Sequence, residues 1–243
     1  MIILVTNDDG IYSPGIAALA KIASRFGEVK IVAPDVEQSS MGQAITFSRP
    51  LTLKTSIIKF ENIEAFRVNG TPADCVSLGM HLYQRTGLVL SGINYGMNIG
   101  NGLWHSGTLA AAKQAVLLGI KGIAISTSAE KAEPDFDALA SRIEQVLLVL
   151  ANSEKGLYNV NVPPEPKGLA WTSQSVRYYD GKIVPGIDPR GRKHYWYTTI
   201  PLEAAEEGSD RYAVERGYTS ITPLRLDLTD ETTLEKLRRE HPL

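Results

Sequence analysis

The chain has 243 residues, enough for one large α/β domain or for a core with an appended subdomain. Its formal net charge of -2 argues against a partner that is a nucleic-acid polymer, and its single cysteine, Cys75, excludes an internal disulfide and a multi-cysteine zinc site. No apolar run approaches the roughly 20 residues of a membrane helix, and the N-terminus lacks the basic flank of a signal peptide. We therefore expect a cytoplasmic protein with no membrane partner.

The N-terminal segment predicts a β-α-β unit. Ile2 to Val5 is a continuous apolar run of the kind that forms a buried parallel strand. Ser13 is suited to cap a helix with Pro14 at its first position, and Gly27 is suited to follow the end of that helix. Val29 to Ala33 is a second buried run. The two strands should therefore be parallel, with a right-handed crossover between them.

Helices and strands continue to alternate up to about residue 165. A polar loop at 35–48 is followed by strand-like runs within 50–68. The further predicted elements are a helix from Thr71 to about Tyr83, a strand Leu88–Leu90, a helix Thr108–Leu118, a strand Gly122–Ser126, a helix Asp135–Leu150 and a strand Tyr158–Val162. This alternation predicts a doubly wound α/β fold, with a mostly parallel sheet and helices on both faces.

The C-terminal part of the chain has a different composition. It is rich in Tyr, Arg, Gly and Pro, shows hairpin-like alternation, and ends in a charged helix from about Thr229. We predict two parts: an α/β catalytic core at 1–165, and a β-hairpin arm with a terminal helix at 166–243. The Tyr/Arg-rich stretch at 176–197 is a candidate contact surface between subunits.

Three polar segments directly follow predicted strands. They are Asn7–Gly10, Asp35–Gly42 and Gly92–Gly107. Ligands of open α/β sheets bind beyond the carboxyl ends of the parallel strands, where the strand order reverses. If the sheet is built as predicted, the three segments lie at one edge and can form one site.

The adjacent carboxylates of Asp8 and Asp9 are unusual in such a turn. The turn lacks the G-x-G-x-x-G pattern of dinucleotide folds, and two negative charges would repel a pyrophosphate. Either aspartate alone could simply cap a helix or face solvent. A bound divalent cation reverses the local charge and attracts phosphate. The oxygen-bearing side chains of the three segments that could ligate Mg²⁺, Mn²⁺ or Ca²⁺ are Asp8, Asp9, Ser39, Ser40, Asn94 and Asn98.

The segment Ser106-Gly107-Thr108 lies where a helix is predicted to begin. Free backbone N–H groups, two hydroxyl groups and the positive end of the helix dipole make such a position suitable for an anion. A plain N-cap would also explain either hydroxyl residue by itself. An anion site, a carboxylate pair and amide ligands at one edge are together more specific than any one of them.

With these residues assembled, the chain resembles the SurE (survival protein E) family of metal-dependent 5′-nucleotidases. The similarity extends from the N-terminus to about residue 225. The motifs that carry it are NDDGI (7–11), VAPD (32–35), GTPADCV (70–76), SGIN (91–94), SGT (106–108), DPRG (188–191) and GY-x-SITPL (217–224).

The resemblance implies a Rossmann-like core that hydrolyses nucleoside 5′-monophosphates to nucleoside and phosphate, with one divalent ion, Mg²⁺ or Mn²⁺, per subunit. The implied metal ligands are Asp8, Asp9, Ser39 and Asn94. The residues assigned to phosphate binding are Asn94, Asn98, Ser106, Gly107 and Thr108. Homodimers or homotetramers built by exchange of C-terminal segments are implied as well. Cleavage of 3′-nucleotides and of short polyphosphate is left open, as is the preferred base.

Two mechanisms and two other functions remain open at this point. Asp8 or Asp9 could orient and deprotonate the attacking water, or one of them could form an aspartyl-phosphate. Zinc-dependent deacetylation of amino sugars also uses an acidic pair after the first strand, but it requires histidines near that pair, and the sequence places none there. A metal-gated nucleotide sensor would use the same binding residues without turnover.

Overall fold

The structure, a computed structural model, describes residues 1–128, 134–176, 179–202 and 204–241. The strands are β1 (Ile2–Thr6), β2 (Glu28–Pro34), β3 (Leu53–Thr55), β4 (Glu64–Val68), β5 (Thr86–Tyr95), β6 (Lys121–Thr127), β7 (Leu157–Val162), β8 (Gly168–Trp171), β9 (Tyr179–Ile187), β10 (Lys193–Pro201) and β11 (Tyr218–Leu224). The helices are α1 (Pro14–Ala23), α2 (Pro72–Leu82), α3 (Gly107–Leu117), α4 (Phe136–Ala151), α5 (Asp210–Glu215) and α6 (Glu231–Glu240), with a 3₁₀ helix at Gly100–His105.

The sheet of nine strands has the order β3-β4-β2-β1-β5-β6-β7-β11-β8. The six strands from β4 to β7 in this order are parallel to one another, whereas β3 pairs antiparallel with β4 and β11 pairs antiparallel with β7. From β1 the chain proceeds outward to β2 and then crosses back to β5 on the other side. The predicted doubly wound α/β fold is confirmed, and its switch point lies between β1 and β5.

Helices cover both faces of the sheet at β1, which is why this central strand is a continuous apolar run. Ile3 and Val5 face α1 and α4 in one buried cluster. Leu4 faces α2 and α3 in another. Because successive side chains of a strand point to opposite faces, a strand between two helical layers buries the side chains of both faces and favours apolar residues on each. Polar side chains that can bind a ligand are therefore expected where the strands end.

The start of α1 differs from the prediction in one respect. Ser13 occupies the N-cap position and Pro14 the first helical position, as expected, but the Ser13 side chain makes no capping hydrogen bond. Its hydroxyl oxygen instead accepts a hydrogen bond of 2.7 Å from Asn7 Nδ2. The hydroxyl group therefore stabilises the turn after β1 rather than the helix.

Strand β5 is longer than the predicted Leu88–Leu90. It continues to Tyr95 because Asn94 and Tyr95 still pair with β6, after an irregularity between Ser91 and Asn94. Gly92 lies at this irregularity with a φ of 137°. The polar composition of 91–95 hid the strand, since these residues form the end of β5 at the site edge.

The main sheet continues beyond residue 165. Strand β11 pairs antiparallel with β7, and β8 pairs parallel with β11. The short helix α5, which the sequence pattern did not indicate, lies directly before β11. The division into 1–165 and 166–243 stays a prediction, but two strands of the second part belong to the sheet of the first.

The predicted arm contains a separate hairpin of β9 and β10. Its exposed apolar side chains include Tyr195, Trp196 and Tyr197. Residues 177 and 178 of the candidate contact surface at 176–197 lie outside the described residues. Helix α6 is the predicted terminal helix and has no buried residue. Within the described ranges, no helix is both long and apolar enough to cross a membrane.

Helix α2 begins with a complete capping box. The Asp74 backbone N–H donates to the Thr71 hydroxyl, and Asp74 Oδ2 accepts from the Thr71 backbone N–H at 2.9 Å. Aspartate here replaces the usual glutamate. The same carboxylate accepts hydrogen bonds from the backbone N–H of Thr46 at 3.0 Å and from its hydroxyl at 2.6 Å. Asp74 therefore ties the loop after β2 to the helix.

We expect Asp74→Ala to lower the free energy of unfolding by about 2–3 kcal/mol, because it leaves several donors without their charged acceptor. Asp230→Ala is the matched control: Asp230 caps α6, which has no buried residue. Its loss should change global stability much less. Urea unfolding of the two variants measures the difference, and equal losses would contradict the role of Asp74 as a tether.

Candidate functional site

The candidate site lies at the carboxyl edge of the sheet, at the switch point between β1 and β5. The turn after β1 is held by Asn7, whose Nδ2 donates to the Gly10 carbonyl at 3.0 Å and to the Ser13 hydroxyl at 2.7 Å. Gly10 has a φ of 91°, a conformation that favours glycine. This turn presents Asp8 and Asp9 to the segment that follows β5.

Asp8 lies directly against the N-terminus of α3. The Thr108 hydroxyl donates to Asp8 Oδ1 at 2.6 Å. A Cβ added at Gly107 would lie 2.7 Å from Asp8 Cβ and 2.9 Å from Asp8 Oδ2, so a larger residue would force the helix and the aspartate apart. The structure thus joins the predicted carboxylate pair to the predicted anion-binding segment through direct contact.

Asp9 is less buried and connects the turn to the end of β5. The Tyr95 backbone N–H approaches Asp9 Oδ2 at 3.5 Å. Burial, followed by the charges of Asp8 and Glu37, raises the pKa of Asp9 to about 6, although the Tyr95 N–H partly opposes this. Burial also raises the pKa of Asp8, against hydrogen bonds from Thr108 and Gly107. No Lys or Arg side chain among the described residues contributes to either shift.

The loop after β2 closes a third side of the site. The Gln38 backbone N–H donates to the Asp8 carbonyl at 2.7 Å, and the Gly42 N–H donates to the His105 carbonyl at 3.0 Å. Ser39 lies on this loop, is exposed, and donates its hydroxyl hydrogen bond to Glu37 at 2.5 Å rather than to the aspartates. Ser39 therefore belongs to the same edge without touching the pair.

The remaining predicted residues have different local partners. Asn94 is half-buried and its Nδ2 donates to the Gly96 carbonyl at 2.6 Å. Asn98 is buried, and its Nδ2 donates to the Ser126 hydroxyl at 2.9 Å and approaches that of Thr108 at 3.4 Å. The Ser106 hydroxyl accepts from the Leu109 N–H at 3.0 Å and so acts as the N-cap of α3.

The sequence patterns did not indicate four buried residues that support this edge of the sheet. Ser126 at the end of β6, Asn159 and Asn161 on β7, and Asp210 at the start of α5 are all buried and hydrogen-bonded to the segment 98–100. The pattern Asn159-Val-Asn161-Val was a usable signal, because asparagine is depleted in strands and a buried amide must find partners.

Fold and site together define a class: a doubly wound α/β protein whose switch point holds a carboxylate pair against the N-terminus of a helix. The SurE family, described as survival protein SurE, matches residues 3–181 of the chain. The chain belongs to this family.

Its relatives match it over nearly the whole length. A protein of Thermus thermophilus named 5′-nucleotidase SurE 1 is 48% identical over 244 residues, covering 98% of this chain and 96% of the relative. Proteins named 5′-nucleotidase SurE from Geotalea uraniireducens and Deinococcus radiodurans are 44% and 43% identical, covering 98% and 99% of this chain and 98% and 92% of their own. The SurE protein from Aquifex aeolicus has a similar structure, with a TM-score of 0.84 at 36% identity over 99% of both chains.

We expect Thr108→Val to raise the pKa of Asp8 further, because the substitution keeps the shape of the side chain but removes the hydroxyl that stabilises the carboxylate. Carboxyl ¹³C titration by NMR on the metal-free protein measures this shift. Thr86→Val is the control, since the Thr86 hydroxyl donates to the Tyr83 carbonyl at 2.6 Å instead. An Asp8 titration equal in both variants would contradict the contact.

Proposed function

We propose that the protein is a divalent-metal-dependent phosphomonoesterase that hydrolyses nucleoside 5′-monophosphates to nucleoside and phosphate. The observation that carries this proposal is the contact between Asp8 and the N-terminus of α3, which puts an acidic pair beside a position suited to phosphate. The names of the curated relatives support the same activity. Phosphate release from AMP or GMP with Mn²⁺ tests it, and binding without turnover would favour a sensor instead.

The residues of this edge fit a hard cation. Asp8 is buried and Asp9 is half-buried; burial raises the pKa of both carboxyl groups, the charge of Asp8 further raises the pKa of Asp9, and no described Lys or Arg side chain offsets these shifts. Within the described ranges, no group of three or more His, Cys, Asp or Glu side chains gathers at one point, so neutral oxygens must complete the ligand set. The ligands we propose for one Mg²⁺ or Mn²⁺ ion are Asp8, Asp9, Ser39 and Asn94.

Ser39 requires a local change to serve as a ligand. Its hydroxyl group donates to Glu37 in the structure, and the neighbouring Ser40 has a φ of 60°. Rotation of the exposed Ser39 side chain would release it from Glu37. Asn94 already donates through its Nδ2 to Gly96, an arrangement that fixes the amide plane and directs Oδ1 away from that contact.

The phosphate would lie at the start of α3. The backbone N–H groups of the first turn and the helix dipole favour an anion there, and the residues that we assign to it are Asn94, Asn98, Ser106, Gly107 and Thr108. When bound, the cation would supply Lewis-acid polarisation of a phosphate oxygen and a lower pKa for water. Gly107 keeps the backbone of α3 close enough to Asp8 for both groups to act on one phosphate.

A carboxylate of the pair would orient the attacking water and accept its proton. Asp8 Oδ1 already accepts a hydrogen bond from Thr108, whereas Asp9 is more exposed, so Asp9 is the more accessible base. The oxygen of water would then form a bond to phosphorus as the bond to the 5′ oxygen breaks, and the leaving 5′ oxygen would take up a proton from solvent water to give the nucleoside hydroxyl. A single turnover in ¹⁸O-water tests this route: label in an enzyme carboxylate would instead indicate an aspartyl-phosphate.

Asp8→Asn and Asn94→Ala should each remove most of the nucleotidase activity while the circular dichroism spectrum stays unchanged. Asp8→Asn removes a charge needed to hold the cation, and Asn94→Ala removes a neutral ligand. Asp137→Asn is the matched control, because Asp137 is an exposed residue in the first turn of α4. A chelator should abolish wild-type activity; full activity in its presence would rule out the metal-dependent proposal.

Binding of Mn²⁺ should weaken as the pH falls through about 6. The cation competes with a proton on Asp9, whose pKa is raised to about 6 by burial and by Asp8. Titration calorimetry at about pH 5 and about pH 7.5 measures the difference, and Asp9→Asn should reduce the pH dependence. An affinity independent of pH across this window would remove Asp9 from the ligand set.

The free energy of unfolding of the metal-free protein should increase as the pH falls, whereas the affinity for Mn²⁺ should decrease. Because the folded-state pKa of Asp9 lies above the ordinary aspartate value of 3.8, the folded state binds the proton more tightly than the unfolded state does. The contribution of Asp9 to stability therefore increases as the pH falls from about 6 towards about 4.

We also propose a homodimer or homotetramer built through the C-terminal part. The exposed aromatic residues Tyr195, Trp196 and Tyr197 on β10 support an interface between copies of the chain. Analytical ultracentrifugation of the wild type and of Trp196→Ser tests this assembly. A substrate panel that includes 3′-nucleotides and short polyphosphate would establish the range of the activity.

A further inference from the structure

A single side chain pairs with both backbone polar groups of Asn98, its N–H and its carbonyl. Asn161 Oδ1 accepts a hydrogen bond from the Asn98 backbone N–H at 2.8 Å, and Asn161 Nδ2 donates to the Asn98 carbonyl at 3.0 Å. The Asn161 side chain is fully buried, on β7 beside Ser126 of β6. A carboxamide that pairs with both backbone groups of one residue fixes the position and the orientation of that residue.

The Asn98 side chain transmits this position to the start of α3. Its Nδ2 donates to the Ser126 hydroxyl at 2.9 Å and reaches the Thr108 hydroxyl at 3.4 Å. The Thr108 hydroxyl in turn donates to Asp8 Oδ1 at 2.6 Å. A donor placed on the oxygen of Thr108 leaves the hydroxyl hydrogen directed at Asp8, so one continuous series of polar contacts runs from β7 to the carboxylate pair.

The segment that contains Asn98 is also held at Gly100, two residues further along the chain. Asp210 Oδ2 accepts a hydrogen bond from the Gly100 N–H at 3.2 Å, and Gln174 Nε2 donates to the Gly100 carbonyl at 3.2 Å. Asp210 is fully buried, and its Oδ1 accepts from the Ser175 N–H at 3.0 Å. The backbone on both sides of Ile99 is therefore fixed by residues outside the segment, none of which is among those assigned to phosphate binding.

We propose that Asn161 is a positioning residue of the phosphate site, which acts through Asn98 and Thr108. This inference rests on the proposed function, since it assigns a role within that site. A buried asparagine in a strand is costly unless its polar atoms are paired, and here both atoms pair with the segment that follows β5. Donors held at fixed positions bind an anion without an ordering cost, whereas a segment free to move must be ordered first.

Asn159 provides a matched comparison on the same strand. It is also fully buried, and its Nδ2 donates to the same Asn98 carbonyl at 2.7 Å. Its Oδ1 has no hydrogen-bond partner among the residues that the structure describes. Removal of Asn159 therefore leaves Asn161 bonded to both groups of Asn98, whereas removal of Asn161 leaves the Asn98 N–H without its acceptor.

The test compares Asn161→Ala with Asn159→Ala in the full-length protein. For Asn161→Ala we expect the KM for a nucleoside monophosphate and the Kd for inorganic phosphate to rise roughly 10-fold or more, as is common when a residue that orients binding groups is lost. Asn159→Ala should change both constants much less. Asn161→Ser is made in parallel, because it keeps a polar group in the cavity and does not depend on Asn161→Ala folding.

A role in folding alone gives a different result. Loss of folded protein lowers the apparent kcat and leaves KM and the phosphate Kd unchanged, and it should affect the two alanine variants alike. Equal constants for Asn161→Ala and the wild type, or equal changes in both alanine variants, would overturn the inference.

Amide hydrogen exchange of residues 94–108 separates this inference from the proposed function. Faster exchange at Asn98 and Thr108 in Asn161→Ala than in Asn159→Ala supports the positioning role even if the wild type turns over no nucleotide, a result that would remove the proposed function alone. Equal exchange in the two variants counts against Asn161 whatever the activity.

Discussion

The close approach of α3 to Asp8 is the constraint on which the candidate site depends. A doubly wound sheet brings the ends of β1 and β5 next to each other, but it does not by itself bring a helix N-terminus against a carboxylate. Glycine at 107 permits that distance, because a Cβ there would lie 2.7 Å from Asp8 Cβ. The Thr108 hydroxyl then fixes the orientation of the carboxylate. The sheet topology determines where the site lies, and the absence of a side chain at Gly107 permits the contact between α3 and Asp8.

The electrostatics of this contact oppose stability. Both aspartates have raised pKa values: burial disfavours the charged form of each in the metal-free protein, and the charge of Asp8 adds to this effect at Asp9. A fold that retains such a pair is less stable without a cation, and a bound cation would offset this loss of stability. The N-terminus of α3 offsets part of this cost through its N–H groups and dipole. The helix therefore already stabilises Asp8 in the metal-free protein, and the same helix N-terminus would favour a phosphate.

The layout of the sheet and its polar edge could be predicted because both follow from local patterns. Apolar runs mark the buried strands, and the polar segments after them must meet where parallel strands end. The contacts within the edge were not predictable in this way. Ser13 accepts a hydrogen bond from Asn7 instead of capping its own helix, and Thr108 donates a hydrogen bond to Asp8, 100 residues away. Such hydrogen-bond partners depend on which residues the folded chain brings together, and the spacing of residues in the sequence does not indicate this.

The C-terminal part was described incompletely from sequence for a related reason. Its composition indicated a hairpin arm, yet β11 returns to pair with β7, the strand that carries Asn159 and Asn161. Asp210, at the start of the helix before β11, bonds the backbone of Gly100. The residues beyond 165 thus hold a segment that leads into α3, and the candidate site depends on both parts of the chain. The C-terminal part therefore contacts the segment 98–100 in two ways: directly, through Asp210 at Gly100, and through β7, which pairs with β11 and carries the Asn161 that holds Asn98.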